Sequence, residues 1–229
     1  MKAQLLESPT LDVFGQMALD EALAAANPKA FILRFFRWRG GGVTFGYAQR
    51  AVAVERELPP DIGDAWTRRP TGGGVVVHRS DLTFSCIFPA RDELRPGVFY
   101  ERLHVAILAG LHEMGLEAGL CTSGAAPVPQ GPGGASQCFV QPVALDVLAN
   151  GKKILGGAIR RYGPTILYQG SLQLPDCRQR TQAYEKAIRD GLARGWNLDW
   201  QTAAPSTAVL AHASTLAVHY RSSAWIRRR

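Results

Sequence analysis

Residues 68–88 read Arg-Arg-Pro-Thr-Gly-Gly-Gly-Val-Val-Val-His-Arg-Ser-Asp-Leu-Thr-Phe-Ser-Cys-Ile-Phe. Two β-type runs, 74–78 and 82–88, follow a glycine-rich bend and meet across the polar turn His78-Arg79-Ser80-Asp81. Upstream, 15–26 predicts a helix with Met17, Leu19, Ala22 and Leu23 at near-helical spacing, stopped by Asn27-Pro28. Residues 31–38 and 43–49 read as strands around Gly40-Gly41-Gly42. Downstream, Leu103, Ile107, Leu108 and Leu111 mark a helix over 99–115, with Gly115 as its C-cap. Residues 119–137 are rich in Gly, Pro, Ala and Ser and predict a long loop, a length often tied to function. Asn150-Gly151 is a type I′ turn signal for a hairpin between 143–148 and 153–159. A strand over 165–174 and helices over 182–192 and 208–220 complete the pattern. Runs of strands with a few helices give α+β rather than alternating α/β.

The 229 residues, 46% hydrophobic, suffice for one domain spanning 1–229 with a good core. No apolar run approaches the length of a membrane span, and the first residues lack the apolar core of a secretory signal. Cys86, Cys121, Cys138 and Cys177 are widely spaced without a CxxC pair, which argues for free thiols in a reducing, cytoplasmic setting and against a zinc ribbon or other metal site. The net charge of +7 includes Arg227, Arg228 and Arg229, read as part of a flexible, solvated basic tail over 221–229 rather than a nucleic-acid arm. The remaining excess suits an acidic carrier protein or an anionic ligand.

Three segments can carry chemistry. In 68–78, three glycines let the backbone approach a ligand, and Arg68 and Arg69 can hold a carboxylate or phosphate. The spacing is neither a P-loop nor a dinucleotide fingerprint. In 151–158, one lysine of the Lys152-Lys153 pair can turn inward, where a buried ammonium needs an anionic partner, and Gly156, Gly157 and Ala158 leave room for a ligand. In 136–142, Cys138 closes the loop and is a candidate nucleophile if nearby positive charge lowers its pKa. Cys86, inside an apolar strand, reads as a packed core residue.

These segments, in this order, resemble the lipoate–protein ligase A and octanoyltransferase family, related in fold to biotin–protein ligases. The pattern Arg-Arg-x-Ser/Thr-Gly-Gly-Gly-x-Val-x-His matches 68–78 throughout, and Gly-Lys-Lys-Ile-x-Gly-x-Ala-x-x-Arg matches 151–161. Gln169-Gly170-Ser171-Leu172, the early Met17–Leu23 stretch and Arg34–Trp38 with Gly46–Gln49 extend the likeness over about residues 10–190. The resemblance implies a central mixed or mostly antiparallel sheet flanked by helices. It also implies that Lys153 stabilises charge on the acyl carbonyl. Arg69, Thr71, Gly72, Gly73, Gly74, His78, Gly156, Gly157, Ala158 and Gly170 would border the octanoyl or lipoyl group.

Two chemistries follow from the resemblance. Cys138-Phe139-x-x-Pro142, fifteen residues before Lys153, is similar to the cysteine motif of Gram-positive-type octanoyltransferases. It implies transfer from acyl carrier protein through a thioester to a lysine of a lipoyl-carrier domain, with no cofactor. The alternative is an ATP- and Mg-dependent ligase working through lipoyl-AMP. That reading expects no further C-terminal ligase domain in this chain and so calls for a separate accessory chain. A non-catalytic lipoyl-binding protein is a third expectation. Departures from the pattern are Gly157-Ala158-Ile159 for Ser-Ala-Gln, Gln169 for His, and Val143 and Leu145 for Ser and Tyr. A Gly-Arg-Gly-Arg loop for biotin transfer is absent.

Overall fold

The computed structural model describes residues 1–90, 95–122 and 142–228. The chain runs β1 (Lys2–Leu6), β2 (Thr10–Leu11), α1 (Val13–Ala25), β3 (Phe31–Phe35), β4 (Arg37–Trp38), β5 (Gly42–Phe45), α2 (Ala51–Glu55), β6 (Trp66–Arg68), β7 (Val76–His78) and β8 (Leu82–Pro89). It continues with α3 (Pro96–Glu113), β9 (Gly119–Leu120), β10 (Val147–Ala149), β11 (Lys152–Tyr162), β12 (Thr165–Leu172), α4 (Thr181–Trp196), β13 (Asp199–Ala203), α5 (Thr207–Arg221) and α6 (Ser223–Ile226).

Eight strands form the main sheet in the order β13-β1-β3-β8-β12-β11-β10-β9. The β13-β1-β3 edge is parallel and every other pairing is antiparallel, so the sheet is mixed and mostly antiparallel, as expected. A small second sheet, β6-β5-β7, carries the glycine-rich segment, and β2 pairs with β4.

Period-two alternation sorts the strand residues between two helical layers. Phe31, Leu33, Phe84, Cys86, Phe88 and Tyr168 share a core with Phe99, Leu103 and Ile107 of α3 and Ile188 and Leu192 of α4. The intervening Ile32, Ile87 and Leu167 pack with Leu19 and Leu23 of α1 and Ala213 of α5. Cys86 is fully buried, and burial pushes its thiol well above the ordinary value, so it is the core residue that its strand context indicated. Asp12 caps α1 by accepting from Gly15 N at 2.9 Å. The Asn150-Gly151 turn has φ of +49° and +73°, the left-handed pair that a type I′ hairpin demands.

The expected solvated tail over 221–229 is corrected as far as residue 228. Ser222 caps α6, and Trp225 and Ile226 pack against the β5–β6 core. Arg68 donates to Trp225 O at 3.3 Å and Ile226 O at 2.9 Å, and Trp225 Nε1 returns a bond to Arg68 O at 2.8 Å. The apolar pair ahead of the arginines anchors the segment, and Arg227 then pairs with Glu55. Of the expected loop 119–137, the start is β9, paired with β10, and 123–137 fall outside the described residues. Among the described residues no helix is long and apolar enough to cross a membrane.

Candidate active site

β11 carries two lysines of opposite fate. Lys152 is exposed, whereas the Lys153 side chain is 3% exposed and its Nζ lies 2.8 Å from Oδ2 of the fully buried Asp146. The anionic partner that a buried ammonium requires is therefore Asp146. Three groups set that carboxylate: Tyr100 OH donates to Oδ1 at 2.7 Å, Val143 N donates to Oδ2 at 2.7 Å, and Lys153 completes the set. The Tyr100 hydroxyl in turn accepts from Gly157 N at 3.2 Å, tying the pair to β11 four residues beyond Lys153.

The glycines of β11 serve this arrangement. A Cβ on Gly156 would lie 2.2 Å from Lys153 Cε and 2.5 Å from its Nζ, so the missing side chain is the space that the ammonium occupies. A Cβ on Gly157 would lie 2.4 Å from the Tyr168 ring. Gly170, its partner across β11–β12, leaves room for the same ring. The room expected for a ligand at these positions is thus filled in part by Lys153 and Tyr168.

A second network orients this floor. His104 is buried, with Nδ1 donating to Leu145 O at 2.7 Å and Nε2 accepting from Tyr168 OH at 2.8 Å. Burial is the main cause that lowers its pKa to about 4, with the Lys153 charge acting the same way. The unfolded chain therefore binds a proton near pH 6.5 that the native state refuses until about pH 4, so stability is lost as pH falls through that window. We expect this group alone to remove roughly 3 kcal/mol between pH 7 and pH 4. Urea unfolding of wild type and His104→Gln across that range checks it: the variant's curve should be flatter, and parallel curves would refute the assignment.

The cavity lies beside this floor. It holds about 390 Å³ of empty space, its open mouth included, at the small end of ligand pockets. Met17, Phe36, Val76, Gly156, Gly157, Ala158 and Gly170 give it apolar walls, and Thr44, Arg69, His78, Thr83, Gln169 and Ser171 add polar groups. His78 stacks on Trp38 at 4.6 Å between ring centroids. Its Nδ1 donates to Asp81 Oδ2 at 2.9 Å, and Nε2 shares a 2.8 Å bond with Thr44 Oγ1. Burial works against ionisation of Asp81, but the charge on His78 and the bonds from His78, Thr83 and Ser171 hold its carboxyl below the usual range.

Arg69 and Arg68 part company. Arg69 donates to Gly72 O at 3.0 and 2.6 Å and bounds the cavity, while Arg68 donates to Tyr47 O and Gln49 O, both at 2.7 Å, and to the C-terminal carbonyls. Thr71, Gly72, Gly73 and Gly74, expected to border the acyl group, do not line the cavity; Thr71 Oγ1 instead donates to Gln169 Oε1 at 2.7 Å. Gln169 Nε2 donates to Asp20 Oδ2 at 2.7 Å, and Asp20 pairs with Arg34 at 3.1 Å, both fully buried. This chain of contacts fixes the glycine-rich loop to α1 and β3.

Of the residues expected from sequence, Arg69, His78, Gly156, Gly157, Ala158 and Gly170 meet around one cavity, with the Lys153 ammonium against Gly156. Cys138 lies outside the described residues. The reading missed Asp146, Tyr100, His104 and Tyr168. Asp146 had a signal: it is the only acidic residue between Glu117 and Asp176, and so the nearest in sequence to a lysine that needed one.

The family profile for the lipoyl protein ligase A/B catalytic domain matches residues 12–189. The chain belongs to this family. Octanoyltransferase LipM of Symbiobacterium thermophilum is 34% identical over 166 residues, covering 69% of this chain and 60% of that protein. The chain spans 60 to 64% of the length of the first curated relatives it matches. Protein Ta0514 of T. acidophilum has the same fold, with TM-score 0.80 and 21% identity over 100% of both chains. A bi-partite lipoate protein ligase studied with its E2 lipoyl domain, from Thermoplasma acidophilum, gives TM-score 0.72 and 20% identity, covering 99% of this chain and 96% of that one. The lipoyl protein ligase A/B match includes every cavity residue and ends within α4, so β13, α5 and α6 lie beyond it.

Proposed function

We propose that this chain transfers an octanoyl (or lipoyl) group from acyl carrier protein, through a thioester on Cys138, to a lysine of a lipoyl-carrier domain of the 2-oxoacid dehydrogenase or glycine cleavage type, in the cytoplasm. The observation that carries this reading is the buried Lys153 ammonium, fixed by Asp146 against the cavity wall at Gly156. Likeness to octanoyltransferase LipM supports the acyl group and the reaction type.

The apolar walls suit an acyl tail. Cys138 Sγ attacks the donor thioester, the carrier's thiol leaves with a proton, and the acyl group rests on the enzyme. The acceptor lysine's amine then attacks that thioester, forming an amide and restoring the thiol. Negative charge develops on the carbonyl oxygen in both steps, and the Lys153 ammonium stabilises it. The same positive charge favours the thiolate of Cys138. Val143, five residues after Cys138 in sequence, donates to Asp146 Oδ2 at the ion pair. The reaction needs no cofactor. The net charge of +7 favours encounter with acidic carrier proteins.

The test is intact mass after incubation with octanoyl–acyl carrier protein. We expect one added octanoyl group on wild type and on Cys86→Ser, and none on Cys138→Ala. No adduct on wild type, with lipoyl-AMP formed from lipoate, ATP and Mg, would replace this reading with the ATP-dependent ligase. Binding of lipoate without either product would make it a non-catalytic lipoyl-binding protein.

A further inference from the structure

The C-terminal arginines do not all share one role. Arg227 is neutralised by Glu55. Arg228, exposed, instead places its Cζ 4.3 Å from the Tyr47 ring centroid, and Arg160 of β11 places its own at 4.6 Å from the same ring. The two guanidiniums therefore lie within about 9 Å of each other, roughly one Debye length in 0.1 M salt. Among the described residues neither has a carboxylate partner. Tyr47 responds to both: burial acts to raise its phenol, but hydrogen bonds and charge from Arg228 and Arg160 outweigh it and hold the group below its ordinary value.

The cluster is joined to the candidate site. Arg160 Nη1 donates to Pro70 O at 2.9 Å, and Tyr47 N donates to Thr71 O at 2.8 Å. Arg69, one residue earlier on the same segment, bounds the cavity. Two like charges with no carboxylate partner among the described residues, converging on one phenol beside a ligand cavity, are arranged for an anion. Planar guanidiniums recognise a phosphate through paired N–H donors.

We propose that Arg160, Arg228 and Tyr47 form an anion subsite for the phosphodiester of a pantetheine-type acyl donor. The assignment rests on the transferase reading of the adjoining cavity. Spacing selects the donor. The Lys153 ammonium sits against Gly156, four residues from Arg160 on the same strand, or roughly 13 Å at ordinary strand rise. An acyl-adenylate bonds its phosphate directly to the acyl carbonyl. A pantetheine arm separates the two groups by a long linker and can engage both ends of the strand. Arg228 lies beyond the family match, so this subsite draws on a part of the chain outside the family core.

Binding to Cys138→Ala protein, by calorimetry, separates recognition from turnover. The probes are octanoyl-phosphopantetheine, octanoyl-pantetheine lacking the phosphate, and a non-hydrolysable octanoyl-adenylate analogue. Arg228→Gln and Arg160→Gln should each weaken the phosphorylated thioester about tenfold and leave octanoyl-pantetheine unchanged, with thermal melting unaltered for the exposed Arg228→Gln. Equal weakening of both thioesters, or of neither, would overturn the subsite. Weakening confined to the adenylate analogue would overturn the pantetheine assignment and give the phosphate to a ligase reaction. The tenfold contrast in a protein whose Cys138 accepts no octanoyl group would uphold the subsite while refuting the thioester chemistry.

Discussion

Lys153→Met is expected to lower acyl transfer by about a thousandfold, the upper effect of removing a preorganised donor to a developing oxyanion. Methionine keeps most of the side-chain volume over Gly156, so packing changes little. What it removes is the positive charge, and Asp146, fully buried, is then left without its counter-ion. Breaking one partner of such a pair costs about 3–5 kcal/mol. The single variant should therefore be both inactive and destabilised, two effects that a careless reading would merge. Asp146→Asn in the same chain separates them. An asparagine keeps one acceptor oxygen for Val143 N and can turn its Nδ2 to donate to the Tyr100 hydroxyl, and no charge remains buried, so much of the stability should return. Activity should not return. Urea unfolding alongside kcat/KM for wild type and the two variants makes the comparison. A Lys153→Met enzyme within tenfold of wild type would remove Lys153 from the chemistry and reduce the ion pair to a structural contact.

Gly46→Ala should do comparable damage by another route. Gly46 follows β5, and a Cβ there would lie 1.9 Å from Gly73 O and 2.9 Å from Gly72 C. These are backbone atoms, so no side-chain rotation relieves the overlap, and the 72–73 segment must move. Gly73 already holds φ at +88°, which limits where it can go. Overpacking of this kind costs about 1–3 kcal/mol, and for a chain of this length each kcal/mol lowers Tm by about 2–4 °C. Displacing this segment also disturbs Arg69, which donates to Gly72 O, so KM for the acyl donor should rise. Gly97→Ala, at the start of α3 with nothing within 4 Å of the added carbon, is the matched control for Tm. Equal melting of the two variants would refute the steric account.

Local signals were the legible ones. Asn150-Gly151 placed the β10–β11 hairpin, and the alternating apolar runs at 82–88 and 165–174 placed the two central strands, because each such pattern acts within a few residues. The β13-β1-β3 edge was not legible. Lys2–Leu6 and Asp199–Ala203 are short and only partly buried, and they pair in parallel across nearly the whole chain, so no nearby residue marks them. The same limit applied to the site. The glycines and Lys153 declared themselves as a motif, but Tyr100 and His104 come from α3, Asp146 from the residue before β10 and Tyr168 from β12, and they acquire their roles through burial. Gly156 and Gly157 were read as leaving room for a ligand, yet that room is taken in part by the protein's own Lys153 and Tyr168.

The grip of Arg68 also orders events in time. Two of its carbonyl acceptors, Tyr47 and Gln49, are about twenty residues away, while the other two, Trp225 and Ile226, are separated from it by 157 and 158 residues. A chain emerging from the ribosome can form the first two bonds early and must wait until residues 225 and 226 have been made before forming the others. The root of the glycine-rich segment is thus among the last parts to settle, after the antiparallel sheet beside it has its strands. Newly made molecules would pass through an interval with a formed sheet and an unsecured loop, unable to bind an acyl group well. Ligand competence becomes a marker that synthesis has passed residue 226.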